Sequence, residues 1–109
     1  MTPEEAQVQL EEYRLLIDAV DQKIVALLNE RTLVVENIGR VKREANLPVY
    51  EPKREDQVFA NITSANHGPL TTQAVRGIFE RIIDEMRSIQ RQRMVQTPPV
   101  PTPPEEPKC

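Results

Sequence analysis

The chain has 109 residues, enough for one domain near the lower limit of what buries a useful core. A net charge of −3 and a pI of about 5.2 argue against a general nucleic-acid or membrane-surface binder. The single cysteine, Cys109, is the last residue, which rules out a disulfide framework or a cysteine-based metal site, and His67 is the one histidine.

Residues 4 to about 43 contain no proline and one glycine, Gly39. Aromatics are scarce, there is no Trp, and Val, Ile and Leu alternate with Glu, Arg and Gln, a composition that suits helices more than sheets. Thr2 caps this first helix, Pro3 takes its first position, and Glu4 and Glu5 favour the positive end of its dipole. From Arg14 a stripe runs Ile17, Asp21, Ile24, Leu28, Arg31, Val35, Ile38, Lys42. A second, beside it, carries Tyr13, Leu16, Val20, Leu27, Val34 and Val41. Together they predict a core-packing helix with a wide apolar face. At 1.5 Å per residue it would be roughly 60 Å long, whereas a compact 100-residue domain has a radius of gyration of about 13 Å. The overhang needs cover, and a second copy related by two-fold symmetry is the simplest. The expected architecture is all-α: three helices per chain, in an intertwined homodimer.

"NLPVYEP" (46–52) breaks the first helix, since Pro48 and Pro52 both oppose helix in the residue before them. A second helix is expected from Pro52 or Lys53 to Ala65, with Val58, Ile62 and Ala65 inward. "NHGPL" (66–70) is a turn in which His67 reads as a surface residue. Thr71 or Thr72 caps a third helix to about Val95, with Val75, Ile78, Phe79, Ile82, Met86 and Ile89 on its inner face. "TPPVPTPPEEPKC" holds six of the ten prolines. It reads as a disordered Pro-rich tail (97–109) outside a helical domain of residues 1–96, with its P-x-x-P spacings those of a flexible end or linker. The opening "MTPEEAQVQLEEY" has no apolar signal region, and no apolar run approaches membrane-spanning length, so a soluble, cytoplasmic protein is expected.

Arg31 and Lys42 fall in register with the aliphatic seam, where a soluble protein should least want them. They are eleven residues apart, about 16 Å along the axis, and their long side chains can reach toward one small anion. Arg14, on the same stripe, is about 25 Å from Arg31, too far for that molecule. In an antiparallel dimer, however, Arg14 of one subunit arrives near Arg31 of the other. Any one such cation is explained by burying its stem and leaving its head in water. Three on one stripe, with Arg54 and Glu55 opening the next helix and Gln90 following Phe79, Ile83 and Met86 at helical spacing, demand anions. Asp18 and Asp21 can serve part of that demand; a dicarboxylate ligand would serve the rest.

"YRLLIDAVDQKIVALLNER" followed by "VENIGRVKREANLPVYEPKRE" resembles the AroQ-type, all-helical chorismate mutases, over about residues 8–93. The combination R-x-x-I-D-x-x-D, L-x-x-R, I-G-x-x-K and P-V-Y-x-P-x-R-E carries the likeness. It implies dimerisation through the long first helix and conversion of chorismate to prephenate in aromatic amino-acid biosynthesis. By the same resemblance, Arg31 and the partner's Arg14 bind carboxylates, and Lys42 contacts the ether oxygen and a carboxylate. Arg54 matches the arginine of the R-E pair, and Glu55 the acid that hydrogen-bonds the ring hydroxyl. Gln90 contacts the ether oxygen opposite the lysine. Glu51 falls where the backbone meets the ligand, and Met86 takes a position that is Ser in some members.

The implied reaction is a unimolecular pericyclic shift, which asks for no nucleophile, metal or cofactor. Its demands are positioning of two carboxylates and stabilisation of the ether oxygen as its bond breaks, tasks that suit Arg, Lys and Gln. The competing expectations are an isochorismate-pyruvate lyase on the same scaffold and a non-catalytic docking or regulatory module for a shikimate-pathway enzyme. DAHP synthase is the candidate partner, since some mutase domains of this type associate with it.

Overall fold

Helix α1 spans Pro3–Ala45 and starts from a reciprocal cap: Thr2 Oγ1 accepts from the Glu5 amide at 3.1 Å, while the Glu5 carboxylate accepts from the Thr2 amide at 2.9 Å. The computed structural model describes residues 1–95. Among them there are three helices, α1, α2 (Pro52–Ala65) and α3 (Thr72–Val95), and no strand. The Pro-rich tail and the domain boundary at residue 96 lie outside the described residues.

Asn46 ends α1 in the left-handed region, at φ 64° and ψ 41°. The Leu47 amide then reaches back to the Lys42 carbonyl at 2.7 Å, and the Asn46 amide to Arg43 at 3.2 Å. This pair of bonds satisfies carbonyls that the helix end would otherwise leave open, and asparagine tolerates the conformation better than most residues with a Cβ. Pro52 opens α2 where its missing N–H costs nothing. Between α2 and α3 the Asn66 side chain accepts from the Gly68 amide and donates to the Leu70 carbonyl, with Gly68 at φ +84° where a side chain would be strained. Thr71 Oγ1 accepts from the Ala74 amide at 3.0 Å, so Thr71, rather than Thr72, caps α3.

Helix α3 packs along the C-terminal half of α1 and, on its other flank, against α2. Val35 of α1 and Val75, Ile83 and Met86 of α3 form the buried centre, joined by Gly39 and Lys42. The molecule measures 62 × 32 × 19 Å, with a radius of gyration of 18.8 Å, as expected if α1 overshoots its own domain. Helix α3, with 24 residues, is only about 36 Å long, and residues 7–27 of α1 are all exposed. Hence the expectation that α1 packs into a core holds in a single chain only for its C-terminal half. Tyr13, Leu16, Val20, Leu27, Val34 and Val41 of the second stripe are all exposed, Leu16 by 62%.

Two inward assignments fail. Ile78 is half exposed, because the packed arc of α3 is rotated toward Ile83, Met86 and Gln90 and leaves Ile78 on the outer flank. Ala65 is exposed at the last position of α2, where the helix gives way to the turn. His67 lies in its turn and is exposed, as expected of a surface residue. No helix among the described residues is long and apolar enough to cross a membrane.

Candidate active site

The left-handed turn at Asn46 folds residues 47–51 back over the last turn of α1, and this sets the surroundings of Lys42. The lysine is only 6% exposed. Its Nζ donates to the Val49 carbonyl at 2.9 Å and to Gln90 Oε1 at 3.1 Å, and lies 3.3 Å from Glu51 Oε1. A buried ammonium needs such partners, one of them charged. Glu51 stands at the N-cap position of α2 without capping it; its carboxylate is given to Lys42 instead. The contact with Gln90 also orients that amide: with its oxygen toward Lys42, its NH2 end is left as a donor.

Gly39 faces Gln90 across the α1–α3 contact; a Cβ built there would sit 3.6 Å from Gln90 Cγ, in ordinary contact, so the approach of the two helices does not depend on the missing side chain.

Beside this group a cleft of about 260 Å³ opens between the three helices. Val34, Val35, Ile38, Val58 and Ile83 make its apolar wall, and Arg31, Lys42, Glu51, Arg54, Glu55, Arg87 and Gln90 bring the polar groups. Arg31 is held below the usual guanidinium pKa, first by desolvation and then by repulsion from Arg54. Neither arginine forms an ion pair with a carboxylate among the described residues; Arg54 donates only to Gln57, at 3.2 Å. Two cations facing one pocket, neither paired with its carboxylates, are a standing cost that a bound dianion removes. Across the cleft Arg87 Nη2 donates to Glu55 Oε2 at 2.5 Å. Met86 is buried on the floor, where its sulfur accepts from the Thr32 hydroxyl at 3.6 Å.

Of the eight residues singled out in the sequence, Arg31, Lys42, Glu51, Arg54, Glu55, Met86 and Gln90 all line this one cleft. Arg14 does not. It lies on the bare N-terminal half of α1, seventeen positions from Arg31, so the single chain does not bring it to the others. Asp18 and Asp21 share that exposed stretch and leave the cleft's cations unserved. The sequence reading missed Arg87 and the Val49 carbonyl. Arg87 stands four residues after Ile83 and three before Gln90, the same spacing that marked Arg31 and Lys42 on α1. The carbonyl carries no sequence signal, since its direction follows from the turn at Asn46.

Such a cleft suits a small molecule with more than one carboxylate, held by arginine forks while a buried ammonium and an amide offer donors deeper in. The fold and cleft therefore define an all-α binding protein for small polyanions. The chain belongs to the type II chorismate mutase family, whose model matches residues 13–91. It is 36% identical over 87 residues to the bifunctional chorismate mutase/prephenate dehydratase of Aquifex aeolicus, a match that covers 76% of this chain and 24% of that protein. The chain thus spans about a quarter of the length of the first curated relatives it matches. Among solved structures, chorismate mutase (form II) from Thermus thermophilus superposes with a TM-score of 0.75 at 33% identity, covering 77% of this chain and 96% of that one. Chorismate mutase from Helicobacter pylori in complex with prephenate gives a TM-score of 0.74 at 26% identity, over 80% of this chain and 94% of its own.

Proposed function

We propose that the chain catalyses the rearrangement of chorismate to prephenate within a helical domain of residues 1–96. The observation that carries this reading is the buried Lys42 ammonium bound to the Gln90 amide, next to two arginines with no carboxylate partner among the described residues. Chorismate has two carboxylates and an ether oxygen. Arg31 holds a carboxylate, with Arg54 beside it adding positive potential, and the apolar wall presses the substrate into the compact geometry in which its reacting carbons meet. As the carbon–oxygen bond breaks and the new carbon–carbon bond forms, negative charge grows on the ether oxygen. Lys42 and the NH2 end of Gln90 donate to it, each worth about 3–4 kcal/mol of barrier when well placed. Glu51 fixes Lys42 from the other side, and Glu55 takes the ring hydroxyl. Met86 contributes shape to the floor.

The reading includes a homodimer with shared sites. The bare apolar stripes of α1 are the surface that a second copy covers, and an antiparallel partner brings its Arg14 to the cleft to hold the second carboxylate. The relatives that join a mutase segment to a prephenate dehydratase support prephenate as the product.

Purified chain is incubated with chorismate and with isochorismate in separate reactions. Prephenate from the first is the expected result. Pyruvate and salicylate from the second, with no prephenate, would replace this reading with a lyase on the same scaffold. Loss of neither substrate overturns it.

A further inference from the structure

Arg87 lies on the face of α3 that lines the cleft, one residue after Met86. Its ion pair with Glu55 joins two side chains that are 23% and 24% exposed. The Nη1 atom is 3.6 Å from Asp84 Oδ1, and the guanidinium carbon stands 5.3 Å from the ring centroid of Tyr50. The group holds its proton more tightly than an ordinary arginine, chiefly because of the hydrogen bond to Glu55. Its Nε is buried with no hydrogen-bond partner among the described residues.

Helix packing alone does not account for this arrangement. A buried N–H without an acceptor is destabilising. A partly shielded ion pair is often no more stabilising than apolar residues of the same size. What the pair does change is the charge of the cleft. Glu55 is a carboxylate in a site built for a dianion, and an ionised carboxylate can only accept hydrogen bonds. Left bare, it would repel the ligand. Paired through Oε2, it carries no net charge with Arg87, and Oε1 still has lone pairs for a donor. A dianionic small molecule supplies that donor when it bears a hydroxyl.

We propose that Arg87 is a positioning residue: its ion pair neutralises and orients Glu55, so that this carboxylate can accept the hydroxyl of a dianionic ligand it would otherwise repel. The proposal rests on the dicarboxylate substrate proposed above. Tyr50 adds a cation–π contact to the guanidinium, 5.3 Å from its ring centroid.

The test uses four proteins, wild type, Arg87→Gln, Glu55→Gln and the double variant, with KM and kcat for chorismate and calorimetric affinity for prephenate. Arg87→Gln is expected to raise KM and weaken prephenate binding about tenfold or more, with kcat within about threefold. In the Glu55→Gln background the same change is expected to alter kcat/KM by less than about twofold, because no charge is left to neutralise. Arg87→Lys, which keeps the charge and loses the fork, retains prephenate affinity within about threefold and serves as the folded control. An equal loss in both backgrounds overturns the proposal, as does a loss confined to kcat, or an Arg87→Lys variant that is folded and no better than Arg87→Gln. A wild-type chain that binds prephenate without consuming chorismate overturns the proposed activity, while the affinities still decide the role of Arg87.

Discussion

Lys42 on α1 and Gln90 on α3 fix each other: the ammonium donates to the amide oxygen at 3.1 Å across 48 positions of sequence. Neither residue is placed by its own helix alone. The ammonium is held from behind by the Val49 carbonyl, which the left-handed turn at Asn46 delivers, and from the side by Glu51. The helix end, the turn and the site are therefore one construction, and disturbing any part should reach the chemistry through Lys42.

Replacement of Lys42 by Met keeps the buried stem and removes the charge. With the ether oxygen deprived of its cationic donor, kcat is expected to fall about a hundredfold or more, while far-UV circular dichroism keeps its helical signal. Turnover close to wild type would remove Lys42 from the mechanism.

Gln90→Glu should separate activity from stability along the pH axis. A carboxylate at this position, beside Lys42, is favoured in its ionised form, so its folded pKa lies below its unfolded one. Its contribution to stability is then present above the unfolded pKa and lost as pH falls through the folded pKa. Activity runs the other way, because only the protonated carboxyl can donate to the ether oxygen. Rate profiles and thermal melts across the acid range are expected to move in opposite directions; a rate profile matching wild type would count against contact between residue 90 and the ether oxygen.

Arg31 has its pKa lowered by burial and by Arg54, so its protonated form weighs against the folded state at every pH where it remains charged. Removing the charge with Arg31→Met is expected to leave the melting temperature of the free protein unchanged or higher. Saturating prephenate should raise that temperature in the wild type and fail to do so in the variant. A variant that melts lower and still gains stability from prephenate would show that Arg31 serves the fold and not the ligand.

Much of this was legible in the sequence because the signals were local. Thr2, Pro3 and Glu5 mark the start of α1, Pro52 the start of α2 and Thr71 that of α3, each through a bond or a missing N–H within one turn. Arg31 and Lys42 stood out because cations on an apolar stripe contradict its period. What escaped depends on how the helices turn against one another. The inward face of α3 was drawn wide enough to hold Ile78, but packing selects the flank toward Ile83 and Gln90. That rotation carries Arg87 into the cleft opposite Glu55, 32 positions away, a pairing no local pattern announces. The bare stripe of α1 is the reverse case: the sequence marks it as apolar, and a single chain leaves it uncovered.

Shared sites make a prediction that an independent-site enzyme cannot meet. Arg14→Ala and Lys42→Ala are each expected to abolish most activity, the first by removing the group lent to the neighbour's cleft and the second by removing the local donor. When the two variants are unfolded together and refolded, a mixed dimer has one cleft that draws its Lys42 from the first chain and its Arg14 from the second, and this cleft is intact. Its other cleft lacks both residues. Random pairing makes about half of the dimers mixed, so activity should return to about a quarter of the wild-type value per chain. The observation that checks it is chorismate loss in the mixture against each variant refolded alone. A mixture no more active than the sum of its parts would mean that Arg14 never reaches the cleft of a second copy.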